Sequence, residues 1–161
     1  MNDAHLHLVV NHFPIIVPII GLIILAAGYF TKSPVVQRTA LGVFILGALM
    51  TFPAMYTGEG AEEIAEKLPG VTEALIEEHE EKAESLAIVN YLLGLISLLG
   101  FWASLKQKSF TRYVTTAIFF LGLAALLFGR MAGTSGGEIR HTEIRSGADV
   151  IPAEQGEDDE D

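Results

Sequence analysis

Four long apolar stretches constrain this chain more than any other feature of its sequence. They cover residues 6–30, 35–56, 86–105 and 113–131. Each is long enough to cross about 30 Å of hydrocarbon as a helix that rises about 1.5 Å per residue. Half of the residues are hydrophobic, which at this length is typical of a membrane bundle rather than a soluble globule. The sequence therefore predicts an all-α fold, an integral membrane four-helix bundle.

Basic residues indicate the orientation of this bundle. Five of them flank the short connections after the first and third spans: Lys32, Arg38, Lys106, Lys108 and Arg112. Because neither place has an acidic residue, the positive-inside rule makes both connections cytoplasmic. Both termini and the loop 58–84 then lie on the exterior, periplasmic side of a bacterial inner membrane, with all 20 acidic residues. The segment MNDAHLH lacks a basic n-region, so we expect a retained first helix rather than a signal peptide.

The chain divides into one transmembrane domain and a tail. The domain covers residues 1–146, and the segment 147–161 is acidic without apolar periodicity, which predicts a disordered tail. The exterior loop 58–84 should be helical in two pieces, separated at Pro69-Gly70, with the second running into the third span. Gly136-Gly137 predicts a turn after the fourth span. No internal repeat is visible.

Composition excludes several classes of function. The net charge of -10 argues against nucleic acid as a partner. The absence of cysteine excludes disulfides, iron–sulfur ligation, thiolate catalysis and covalently attached c-type haem. No Gly-x-Ser-x-Gly, His-Glu-x-x-His or phosphate-binding glycine loop is present, which argues against a hydrolytic enzyme. Whether the protein is an enzyme of another kind stays open.

The histidines carry the most functional information. All five lie at the predicted exterior end of the bundle: His5, His7, His12, His79 and His141. Polar residues near membrane depth are functional candidates, and His12 is the deepest of the set. His5 and His12 share a helix face but are about 10 Å apart, too far to ligate one metal ion on a regular helix. We therefore predict one site that gathers His12, His79 and His141 from three segments.

A b-type haem is the first chemistry that such a site could support. Two neutral imidazoles from different segments form its axial ligands, and arginines pair with its propionates. His12 and His79 are the predicted axial ligands, with His141 as substitute or supporting residue. Arg130 and Arg140 lie near His141 and are the predicted propionate partners. The function would be local electron transfer between the quinone level and an exterior electron carrier.

Several segments resemble a family of small four-helix bacterial membrane proteins described as predicted membrane proteins with a domain of unknown function. They are NHFP in the first helix, PAMYTGEGAEE after the second span, EEHEEKAE before the third, and GTSGGEIRHTEIR after the fourth. The resemblance covers nearly the whole chain to about residue 146. It implies the four-helix fold and a shared site of His12, Glu59, His79 and His141. It implies no established activity.

Two alternatives remain open at this stage. A non-haem transition metal ion (Zn, Fe or Cu) could be held by imidazoles and carboxylates. Its predicted ligands are His12, Glu59, His79, Glu138 and His141, of which the last two form one Glu-x-x-His pair. The protein could instead be a cofactor-free accessory subunit of a membrane complex, or act as a homo-oligomer within the lipid bilayer.

Overall fold

The computed structural model describes residues 2–145, and they are helical almost throughout. The helices are α1 (Asp3–Val10), α2 (Phe13–Phe30), α3 (Pro34–Ala65), α4 (Glu73–Leu105) and α5 (Thr111–Arg140), followed by a short 3-10 turn, Thr142–Ile144. Four helical segments, with α1 and α2 counted as one, are long and apolar enough to cross a membrane. The prediction of an all-α protein with four such helices is confirmed. The predicted tail 147–161 lies outside the described residues.

The first span is interrupted at Asn11 and His12, just before Pro14. Pro14 has no N–H to donate to the carbonyl of Val10 one turn earlier, and its ring crowds that carbonyl. The hydrogen-bond ladder is therefore interrupted between α1 and α2, although Asn11 and His12 keep helical backbone angles. The short α1 has no buried residue, so it is held less firmly than the four long helices.

Two helical hairpins form the bundle. In the first, α2 packs against α3, and in the second, α4 packs against α5; the hairpins meet through α3 with α4 and through α2 with α5. Each hairpin turns at a residue in the left-handed region, Lys32 (φ 51°) and Gln107 (φ 50°). We call the end of the bundle with these turns the loop end. The opposite end, with α1, the turn between α3 and α4, and the end of α5, is the terminal end.

Small residues bring neighbouring helices close together around an apolar core. Leu25, Phe44 and Ile118 are fully buried in its centre. Gly21 lies directly against the Phe44 ring, since a Cβ at this position would be 2.5 Å from Cε1 of that ring. Such close approach lets van der Waals contacts hold helices together in lipid, where burial of apolar surface from water is not available.

A buried asparagine completes the backbone hydrogen bonding of α2. Pro18 lies inside this helix and has no N–H for the carbonyl of Pro14. Asn90 of α4, which is 1% exposed, donates to that carbonyl at 2.9 Å and to the Thr51 hydroxyl at 3.2 Å. One side chain therefore connects α2, α3 and α4 where an unpaired carbonyl would be costly.

The helices extend beyond the bilayer at the terminal end. With 32 residues, α3 is about 48 Å long, against a hydrocarbon thickness of about 30 Å. The charged beginning of α4, up to Glu84, precedes its apolar stretch and lies outside the hydrocarbon. The predicted turn at Gly136-Gly137 is wrong, because α5 continues through both glycines to Arg140.

Candidate functional site

The half-buried His7 of α1 is held by α3. Its Nδ1 lies 3.1 Å from the Ala54 carbonyl oxygen and 3.1 Å from the Thr57 hydroxyl. Because that hydroxyl already donates to the Pro53 carbonyl at 2.8 Å, it accepts from His7. Both partners are acceptors, so Nδ1 carries a proton. In the neutral ring the lone pair is then on Nε2.

His79 of α4 is held by α5 in the same way. Its Nδ1 lies 3.2 Å from the Ser135 hydroxyl, which itself donates to the Met131 carbonyl at 3.1 Å. The nearby Ala132 carbonyl favours the protonated ring and so opposes the lowering of the His79 pKa. The proton is again on Nδ1, and the lone pair of the neutral ring is again on Nε2.

The His79 ring accounts for a glycine inside α5, at a place where the sequence predicted a turn. A Cβ at Gly136 would lie 2.9 Å from Cε1 of His79, so the imidazole occupies the space beside this glycine. On the opposite side, Gly58 follows Thr57, and Cε1 of His7 is 3.9 Å from its ideal Cβ position. Both glycines therefore lie next to an imidazole within a helix.

The two histidines occupy equivalent places in the two hairpins. His7 and Thr57 each lie 25 residues from the turn residue Lys32. His79 and Ser135 each lie 28 residues from Gln107, the turn residue of the second hairpin. In an antiparallel hairpin, residues equally far from the turn lie side by side. In each hairpin, a histidine on the helical segment before the turn therefore pairs with a hydroxyl on the helix after the turn.

The environment of His79 favours the neutral ring. This residue lies before Glu84, outside the hydrocarbon-crossing part of α4. Burial lowers the pKa of His79 below its ordinary value, and the nearby charge of His7 lowers it further, against the opposing effect of the Ala132 carbonyl. His7 and His79 are thus close enough to interact electrostatically. At neutral pH the Nε2 atom of His79 is available as a lone-pair donor.

The other two predicted imidazoles lie outside this pair. His12 is exposed at the start of α2 and makes no capping hydrogen bond with its side chain. His141 follows α5 and its Nδ1 is 2.9 Å from a Glu143 carboxylate oxygen, with about 60% of both side chains exposed. The backbone N–H of Glu143, and then His141, lower the pKa of the Glu143 carboxyl. The structure thus gives His7 and His79 hydrogen-bonded positions on neighbouring helices and leaves His12 and His141 exposed.

The remaining predicted site residues are dispersed over the terminal end. Glu59 is exposed on α3, Glu138 is half-buried on α5, and Arg130 and Arg140 are exposed on α5. Within residues 2–145, no three His, Asp or Glu side chains converge in a way that could hold a metal ion. The described residues therefore do not bring the five predicted metal ligands together, and this ligand set stays a prediction.

The sequence analysis chose candidate ligands by residue type and membrane depth and did not select His7. A short sequence pattern does point to this residue. Its partner segment is Ala-x-x-Thr-Gly, residues 54–58, and the partner segment of His79 is Ala-x-x-Ser-Gly, residues 132–136. These two short segments are the only trace of the equivalence between the hairpins that we recognise in the sequence. Counting from each turn to these segments leads back to His7 and His79.

Comparison with known proteins agrees with this architecture. Residues 4–143 match the family model DUF2231, whose description is "Predicted membrane protein". No curated protein and no solved structure matches the chain significantly. The match covers all five helices, including His7 and His79. The chain therefore belongs to the DUF2231 family of predicted membrane proteins.

Proposed function

We propose that this membrane protein binds a b-type haem at its terminal end, with Nε2 of His7 and Nε2 of His79 as axial ligands. The observation that carries the proposal is the fixed Nδ1 side of both rings. Metal-ligating imidazoles nearly always donate their other N–H to a carbonyl, a carboxylate or water, which fixes the tautomer and the ring orientation. In both histidines Nδ1–H donates to the adjacent helix, to the Ala54 carbonyl and the Thr57 hydroxyl for His7 and to the Ser135 hydroxyl for His79.

Haem suits a pair of imidazoles because its porphyrin supplies the four equatorial nitrogens and the protein supplies two axial ligands. The proposal replaces the expected ligand His12 by His7. One of the two ligands is on α1, which has no buried residue and joins α2 at an interruption.

The role of this centre would be local electron transfer. One haem at one end of the bundle cannot pass electrons across about 30 Å of hydrocarbon by itself. The proposed partners are therefore a quinone near the membrane surface or an electron carrier on the same side. Arg130 and Arg140 are exposed at the terminal end and remain the proposed partners of the haem propionates.

A single transition metal ion is the second candidate, since the same fixed Nδ1–H groups would equally prepare His7 and His79 to ligate Zn, Fe or Cu. Such an ion would take its remaining ligands from water or nearby carboxylates. An accessory subunit without a cofactor would use neither imidazole. These possibilities differ in colour and in metal content.

The test is an absorption spectrum of the purified, detergent-solubilised chain, oxidised and after dithionite, with metal analysis of the same sample. The haem proposal predicts a Soret band that sharpens on reduction and a split visible band. His7→Ala and His79→Ala should each abolish it, while the exposed His12→Ala and His5→Ala should retain it. A colourless protein with stoichiometric metal that depends on His7 and His79 would favour the ion instead. Neither colour nor metal, after expression with adequate haem supply, would refute both.

We also propose that the terminal end faces the exterior of a bacterial inner membrane. The support is the charge distribution: no Asp or Glu occurs in residues 31–57 or 85–131, where the loop end carries five basic residues. A reporter enzyme that is active only outside the cytoplasm, fused after Asp161, should be active. A cytoplasm-specific reporter that is active at the same position would reverse the orientation.

A further inference from the structure

A cleft at the loop end has the features of an anion-binding site. It is a cavity of about 570 Å³ between the two hairpin turns. Its lining includes two basic side chains, two hydroxyls and two apolar residues: Arg38, Lys108, Ser104, Thr111, Val35 and Leu105. This cleft is at the opposite end of the bundle from His7 and His79, so it does not depend on the proposed haem.

The two basic side chains give the cleft a net positive charge. Arg38 is half-buried, and its guanidinium donates to the Ser104 hydroxyl at 3.4 Å, a long hydrogen bond with a neutral partner. The ammonium of Lys108 is 5.6 Å from the centre of the Trp102 ring, a cation–π contact. With no acidic residue in 31–57 or 85–131, no carboxylate from these segments neutralises them. Both cations keep hydrogen-bonding capacity for an anionic ligand.

The helices that border the cleft add to this positive potential. Both α3, from Pro34, and α5, from Thr111, begin at the cleft. Helix N-termini carry partial positive charge and unpaired N–H groups. Ser33 caps α3 with its hydroxyl, whereas the residue before α5, Phe110, makes no side-chain cap. Backbone carbonyls accept from the N–H groups of Thr111, Tyr113 and Val114 at the start of α5, so this helix adds partial positive charge rather than free donors.

The position and the apolar part of the cleft indicate the class of ligand. It lies where the four spans end, at the depth of the lipid headgroups. Trp102, Val35 and Leu105 expose 46%, 62% and 56% of their surface around it, and tryptophan is typical of this depth. Basic pockets between transmembrane helices bind phospholipid head groups. We propose that this cleft binds the phosphate of an anionic phospholipid, with Arg38 and Lys108 as its charged partners.

The single tryptophan of the chain provides the readout. The full-length protein in detergent would be titrated with phosphatidylglycerol that carries brominated acyl chains, because bromine quenches tryptophan on contact. Brominated phosphatidylcholine, which is zwitterionic, serves as the reference lipid. Arg38→Gln and Lys108→Gln remove one charge each from the cleft. Arg112→Gln is the matched control, since Arg112 is exposed at the same end of the bundle and does not line the cleft.

Phosphatidylglycerol should quench Trp102 at a lower mole fraction than phosphatidylcholine. Arg38→Gln and Lys108→Gln should each weaken this preference by about five-fold, which corresponds to about 1 kcal/mol for a basic side chain in contact with the headgroup. Arg112→Gln should weaken it clearly less, because Arg112 does not line the cleft. Equal quenching by both lipids, or equal effects of Arg112→Gln and the cleft variants, would overturn the proposal. Displacement of the lipid by inorganic phosphate at the same concentration would assign the cleft to a free anion and refute the lipid. If Arg38→Gln does not fold, Lys108→Gln decides alone.

Discussion

The hydrogen bond between Asn90 and the Pro14 carbonyl allows the energetics of this bundle to be tested in isolation. Asn90→Ala removes the donor and leaves a buried carbonyl unpaired, because Pro18 has no N–H to replace it. An unpaired buried backbone group costs about 1–3 kcal/mol. The truncation also leaves a small cavity, which adds to the loss. We therefore expect the free energy of unfolding to fall by at least about 1 kcal/mol.

A second substitution separates the hydrogen bond from the cavity. Pro18→Ala restores an N–H at position 18, which can donate to the Pro14 carbonyl within α2. In this background Asn90→Ala still creates the cavity but no longer leaves the carbonyl unpaired. The two changes should therefore be non-additive. The coupling should be about 0.6–1.7 kcal/mol, the range from the average to the maximum measured for hydrogen bonds between membrane helices.

The assay is reversible unfolding in mixed micelles with increasing dodecyl sulfate, followed by circular dichroism, for the parent, both single variants and the double variant. Pro53→Ala in α3 is the control for proline removal, because Asn90 does not contact the carbonyl that Pro53 leaves unpaired. Its combination with Asn90→Ala should be additive. Additivity of Pro18→Ala and Asn90→Ala within about 0.3 kcal/mol, the error expected for independent sites, would refute the assigned role of Asn90.

Three further predictions concern the terminal end. Gly136→Ala should destabilise the fold by about 1–3 kcal/mol and reduce cofactor content, because its Cβ would be 2.9 Å from the His79 ring; Gly42→Ala, with open space beside it, should be neutral or stabilising in the same unfolding assay. Since the folded pKa of His79 is lowered, the unfolded chain binds more protons in acid, so this stability is present above about pH 6.5 and lost as the pH falls through the folded pKa. The thermal unfolding temperature of His79→Gln should depend less on pH across this range than that of the parent protein. His5→Gln should keep the pH dependence of the parent. Identical pH profiles for both variants would exclude His79 as the source of this dependence. Arg145 donates to the last carbonyls of α5 at 2.7 and 3.1 Å, so Arg145→Ala should speed amide exchange at that helix end without changing cofactor content, and unchanged exchange would show that these contacts do not hold it.

The four long helices could be predicted because each depends on a property of a whole segment. Apolar length and the basic residues beside the turns survive small errors in where a helix begins or ends. The choice of ligand is different, because it depends on which histidine of the first span contacts another helix. Depth in the membrane made His12 the best-placed ligand. In the structure His12 is exposed, and His7 is hydrogen-bonded to α3.

Gly136 illustrates a second limit. Two consecutive glycines ordinarily indicate a turn, since they are poor helix formers. Here the reason for glycine is a neighbour on another helix, the His79 ring, and that contact cannot be seen from local sequence. The predicted return of His141 towards the site depended on this turn. With α5 continuous, His141 is left at the exposed helix end, paired with Glu143.

The equivalence of the two hairpins has a consequence for how the chain assembles. Each hairpin supplies both the imidazole and the hydroxyl that holds it, so His7 and His79 can each be fixed before the two halves meet. The two-stage view of membrane folding, insertion followed by association, then gives each half one of the two proposed ligands before the halves meet. Association would bring the second proposed ligand to the first. If the chain is divided in the turn between α3 and α4 and expressed as two fragments, the proposed His7–His79 site should form only when both fragments are present. In this respect the two hairpins resemble the subunits of a dimer that are joined by a linker.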